Sequence, residues 1–166
     1  MYTSIENFLA DWKFESEATL KVFSFLKDEA MNKRVANYDR TLGELSWHIV
    51  GSLSEMISYT NLEINCPSEE DPIPADIKGL IQLYYNAAKS LTEEISKNWD
   101  DTTLQNEIEM YGENWKIGFT LSSLIRHQIH HRAQMTVLMR QVGLKVPGVY
   151  GPSKEEWADL IKDSDE

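Results

Sequence analysis

Four histidines, His48, His127, His130 and His131, are the residues of this 166-residue chain whose type and spacing point most directly to chemistry. A neutral imidazole is a ligand for divalent transition metals, bonding at ~2 Å. On a helix, residues four apart lie about 40° apart in azimuth and roughly 6 Å apart along the axis. His127 and His131 therefore project from one face and can both reach one ion. His130 falls three residues after His127 but on the flank opposite His131, so one ion does not gather all three. His48 belongs to a distant stretch, set among Leu45, Ile49 and Ser52. On a helix it faces the interior, where its nitrogens need a partner. A backbone carbonyl or a carboxylate would serve, and so would an ion held by the later pair. Helical bundles build metal sites from side chains on facing helices, which makes the joint occurrence more telling than either half.

The run His127-Gln128-Ile129-His130-His131 has the outline of the His-Glu-x-x-His of zinc peptidases, whose glutamate is the general base. Gln128 accepts no proton at neutral pH, which excludes that mechanism. Other polar residues carry two readings each. Glu44 precedes His48 by one helical turn and either orients it or caps the helix. Gln134, three residues after His131, either lines a pocket or packs at a seam. Glu55, seven after His48, is a base on the same face or a solvated carboxylate. Arg132 points some 100° away from His131 and is expected in a surface salt bridge. Trp12, Trp47 and Trp115 either wall a pocket or fill core. Cys66 carries no assigned function.

The elements that would position these residues are mostly helical. Ile5, Phe8, Leu9, Trp12, Leu20, Phe23 and Leu26 recur at three- and four-residue steps, predicting a first helix over about 4–30 with Ser4 as cap. Thr41-Leu-Gly-Glu44 is a capping box opening a second helix that runs to about 62. Cys66 to Pro74 holds three prolines and is a loop. Ile77, Leu80, Ile81, Tyr84, Ala88, Leu91 and Ile95 mark a third helix over about 76–97. From Thr103 the pattern alternates, with turn chemistry over Tyr111–Asn114 and a second strand to Phe119, predicting a hairpin. A fourth helix runs from about Thr120 to Val142 and stops at Gly143. Pro152-Ser153-Lys-Glu-Glu156 opens a short terminal helix carrying Trp157 and Leu160. The expected fold is all-α: a four-helix bundle over 1–166 as a single domain, with the hairpin against its end or edge.

Composition narrows the function classes. Lys and Arg number 16 against 27 Asp and Glu, a formal charge of −11, and no basic patch is evident, which disfavours nucleic acid as a partner. One cysteine cannot form an internal disulfide. No apolar run reaches the ~18 residues of a membrane helix, and residues 1–12 lack the order of a signal peptide, so a cytoplasmic protein is expected.

Leu124-Ile-Arg-His127-Gln-Ile-His-His131-Arg-Ala-Gln134 and the following Arg140-Gln-Val-Gly143 resemble the fourth-helix signature of the DinB/YfiT-like proteins. Thr41-Leu-Gly-Glu-Leu-Ser-Trp-His48-Ile resembles their second-helix segment, and Pro147-Gly-Val-Tyr150-Gly-Pro their tail. Ala133 stands where glycine is common, and Gln128 where an acid often occurs, which puts an acid/base role there in doubt. The resemblance implies one divalent metal ion, zinc or nickel first and iron or manganese next, on His48, His127 and His131. It also implies a homodimer and, in some members, hydrolase activity or transfer to a low-molecular-weight thiol. Three imidazoles leave a position for water or thiolate, the pattern of a catalytic site. Two classes of function follow: a metal-dependent enzyme acting on a small molecule, or a non-catalytic metal-stabilised dimer or ligand-binding module. The roles of Glu44, Glu55, Gln134 and His130 are left open by sequence.

Overall fold

Four helices account for half of the chain: α1 (Ile5–Phe23), α2 (Leu42–Ser58), α3 (Ile77–Asn98) and α4 (Ile117–Gln141). A hairpin of β1 (Glu107–Met110) and β2 (Glu113–Lys116) lies between the last two. The computed structural model describes residues 1–34 and 40–157. Leu160 of the expected terminal helix lies outside them, whereas residues 154–157 are helical. That start is a reciprocal cap: the Ser153 hydroxyl accepts from Glu156 N–H (3.2 Å), and the Glu156 carboxylate accepts from Ser153 N–H (3.1 Å).

The helix starts are set locally. Ser4 Oγ accepts from Asn7 N–H, Asp76 accepts from Gly79 N–H, and Thr41 with Glu44 forms the full capping box. The first helix stops earlier than its periodicity predicts, at Phe23 rather than near 30. Tighter turns follow, with Phe25 N–H bonded to Val22 O and Leu26 N–H to Phe23 O, and they drop Leu26 into the core. Lys27 is then extended, and Asp28 accepts from the N–H of Ile77 at the start of α3 (2.9 Å). The second helix also ends short of its expected limit, at Ser58, and the chain turns through Asn61 at φ 58°. The hairpin is shorter than expected. Thr103–Gln105 forms a 3₁₀ turn seeded by the Asp100 carboxylate, and Phe119 belongs to α4. The connection is two residues, Tyr111 (φ 54°) and Gly112 (φ 82°), the twin positive φ values of a type I′ turn.

Around the bundle the helices neighbour one another in the ring α1–α3–α2–α4. Sequence neighbours α1 and α2 therefore stand on a diagonal, as do α3 and α4, and both connections are long crossovers. The core runs along the ring's centre through Phe8, Trp12, Ile49, Leu53, Leu80 and Tyr84, each at most 1% exposed. Burying such side chains contributes on the order of 1.5–3 kcal/mol each. The ring order sets α2 directly against α4, and on that seam the second-helix histidine meets the fourth-helix pair.

Candidate metal centre

His48 sits two turns into α2, a position fixed by the capping box at Thr41. His127 and His131 stack one turn apart on α4. Across the α2–α4 seam His127 Nε2 lies 3.2 Å from His48 Nε2 and 3.1 Å from His131 Nε2. All three ligand atoms fall within 4.8 Å of one another, and among the described residues this is the group able to hold a metal ion. Two nitrogens bound at ~2.0–2.1 Å in a tetrahedral shell stand about 3.3 Å apart, so the observed spacing suits a common ion.

For His48 and His131, what fixes the lone pair is the far side of the ring. His48 Nδ1 lies 2.7 Å from Glu69 Oε1, and an ionised carboxylate only accepts, so Nδ1 carries the proton and Nε2 the lone pair. His131 Nδ1 lies 2.8 Å from Gln134 Oε1 with the same result. The Gln134 amide in turn donates to His130 Nε2 at 3.1 Å. His127 Nδ1 is buried without a partner among the described residues. Burial first, and then the neighbouring His131 and His48, push the His127 imidazolium down to about pKa 4. Burial also lowers His131. The Nε2 atoms of His48 and His131 are thus acceptors turned toward His127 Nε2, and a cation at their centre would take all three nitrogens. The donor set fits a borderline transition metal, because three imidazoles suit zinc, nickel, copper or iron. His48 keeps 14% of its side-chain surface, so the site is not wholly sealed from solvent.

The other sequence candidates are placed elsewhere. Glu44 does not orient His48; it caps α2, which holds its carboxyl below the usual range, and it faces Arg34 at 3.7 Å. Glu55 accepts from the Tyr111 hydroxyl of the hairpin (2.8 Å). Arg132 is not on the surface. It is 3% exposed, paired to Glu15 at 2.5 Å in the α1–α4 seam. Gln128 accepts from the buried Tyr84 hydroxyl at 2.6 Å and has no proton to exchange with the cluster. Trp12 lies in the core, donating to Ala88 O, and Trp115 packs against Tyr111 and Phe119 in the hairpin. Trp47 holds the loop that carries Glu69, its indole donating to Glu69 O (3.1 Å). Burial raises the Cys66 thiol to about 11. Glu69 is the site residue that sequence reasoning missed. It sits in the loop after α2, 21 positions from the ring it touches.

Comparisons with known proteins bear on the family and the fold. A family model, described as the DinB family, matches residues 1–165. A Bacillus subtilis (strain 168) protein, YrdA, described as uncharacterized, is 40% identical over 158 residues, which is 95% of each chain. The crystal structure of a DinB-like protein from Bacillus cereus ATCC 10987 superposes with a TM-score of 0.86 at 38% identity, covering 90% of this chain and all of that one. A second DinB-like structure, YjoA from Bacillus subtilis, shares the fold alone, at a TM-score of 0.67 and 15% identity over 86% of this chain and 97% of its own. Among the described residues no helix is long and apolar enough to cross a membrane.

Proposed function

The chain belongs to the DinB family, and on that premise we propose that His48, His127 and His131 hold one divalent ion, zinc or nickel, in an enzyme of the hydrolase or thiol S-transferase kind. The observation that carries this reading is the convergence of three Nε2 atoms whose opposite nitrogens are committed to Glu69 and Gln134 or buried. Such an ion supplies either a water ionised near pH 7 or a site for a thiolate at its remaining position. The chain's own residues do the rest. Glu69 and Gln134 hold two rings in their Nδ1–H form, and a substrate would reach the ion from the side on which His48 keeps its exposure. Gln128, directed into the core, takes no part in proton transfer.

The test is elemental analysis of untagged protein, followed by titration of the cobalt(II)-substituted form with azide and with a low-molecular-weight thiol. We expect about one ion per chain and a change in the visible spectrum as an exogenous ligand enters the open position. A metal whose spectrum ignores both ligands would be closed, and the enzyme reading would give way to a structural ion.

A further inference from the structure

We propose that Glu69 is a positioning residue for the metal centre, and that the loop carrying it is seated on α2 for that purpose. The inference rests on the metal reading above and adds a residue from outside both ligand-bearing helices. The loop has its own internal frame: the Asp71 carboxylate accepts from Ser68 N–H (2.8 Å), Ser68 Oγ accepts from Glu70 N–H (3.2 Å), and Asp71 N–H closes on Ser68 O. It is laid onto the helix at two points. The Trp47 indole N–H, on the residue beside the ligand, takes the carbonyl of Glu69. One turn along from Trp47, Gly51 leaves room for the Glu69 backbone; a Cβ there would meet Glu69 Cα at 2.7 Å and its amide nitrogen at 2.8 Å. With the backbone held on both sides, the side chain reaches His48 Nδ1, and Arg40 steadies the same oxygen at 3.4 Å.

A capping or surface carboxylate needs none of this. Glu69 caps no helix, and its side chain is 40% exposed, so its contribution to stability as a surface ion pair is small. The one buried consequence of its placement is the orientation and tautomer of His48. A carboxylate behind a ligating imidazole fixes the ring and raises its basicity, and loss of such a partner typically costs 10–100-fold in metal affinity.

The experiment compares wild type with Glu69→Ala, Glu69→Gln and Gly51→Ala. It measures zinc and cobalt(II) dissociation constants by chelator competition, and imidazole ¹⁵N shifts on metal-free protein. Glu69→Ala is expected to bind 10–100-fold more weakly. Glu69→Gln keeps an accepting oxygen and should recover much of that loss, which a purely structural role for the loop would not explain. Gly51→Ala displaces the loop with Glu69 intact and should match Glu69→Ala, and the double variant should be no worse than either single one. In metal-free wild type the His48 signal should report the Nδ1–H form, and in Glu69→Ala a mixture. Glu69→Ala binding within twofold of wild type, with the His48 tautomer unchanged, would overturn the proposal while leaving the three-histidine site standing. Wild type that binds neither ion would instead remove the metal reading itself, a failure seen before any variant is compared.

Discussion

His131 and Arg132 are consecutive residues of α4 that face different seams of the bundle, and the polar clusters they join are built on opposite plans. In the α1–α4 seam, Arg132 meets complementary groups. Its guanidinium donates to the Glu15 carboxylate and carbonyl, to Thr19 Oγ1 at 3.1 Å and to the Tyr150 hydroxyl at 2.7 Å, while Tyr150 donates to the other Glu15 oxygen at 2.8 Å. Donors meet acceptors, and charge meets charge. In the α2–α4 seam, like meets like, with three imidazole nitrogens gathered at one point and a fourth ring nitrogen buried without a partner. Protein interiors avoid such frustration unless something else completes it. A satisfied polar cluster is explained by the fold, whereas one whose members share the same need calls for an outside group.

The contrast is broken most severely on the satisfied side. Replacing Arg132 with Met leaves the Glu15 carboxylate buried without its counter-charge, and a loss of about 3–5 kcal/mol is expected in urea denaturation. Adding Glu15→Leu should restore a large part of it, because the two changes act on one interaction. Metal bound per folded chain should not change in either variant. A cost below about 1 kcal/mol for Arg132→Met would show that this seam does not depend on its ion pair.

On the unsatisfied side the expected effect is smaller and comes from outside. Zinc at 100 times its dissociation constant should stabilise the protein by about 2.7 kcal/mol, or roughly 5–10 °C in melting temperature for a chain of this size. A chelator should remove that gain. His127→Ala should show no gain at all, whereas His130→Ala, which loses the far end of the Gln134 bridge and an edge contact with the His131 ring, should behave as wild type. Equal losses in both would mean that the wrong histidines were grouped.

The smallest difference is one of pH in the metal-free protein. The His127 ring takes a proton in the unfolded chain near its ordinary value of 6.5, but in the folded one only near 4. Between those values the unfolded state binds more protons, so stability rises with pH and is lost as pH falls from 6.5 toward 4. Denaturation midpoints across that window should show the slope, and His127→Ala should flatten it.

Much of this arrangement is legible in the residues themselves, where the signal is local. The capping box at Thr41 and Glu44, the reciprocal cap at Ser153 and Glu156, and the spacing of His127 and His131 each depend on neighbours within one helical turn. They announce themselves accordingly. The hairpin is legible because Tyr111-Gly112 demands positive φ, but its first strand is overextended in the sequence reading, since Asp100 ties Thr103–Gln105 into a turn. The end of α1 is hidden, because neither Gly nor Pro marks it and the apolar rhythm continues to Leu26. Arg132 is hidden for a different reason. Azimuth correctly turns it away from the histidines, but says nothing about the Glu15 carboxylate waiting across another seam. Glu69 has only an indirect trace, in Gly51, a glycine within a helix that gives up propensity to admit a passing backbone.

The ring order of the helices has a last consequence, for how an ion is acquired. His48 and His127 are separated by 79 positions, and their helices are joined only through α3 and the hairpin crossover. Without the tertiary structure, only His127 and His131, one helical turn apart, can be neighbours, and His48 stays distant from both. Closing so long a loop costs entropy that only the assembled bundle repays. An ion held by these three rings would therefore come last: the bundle would fold on its apolar interior, and the cation would arrive at a pocket already shaped.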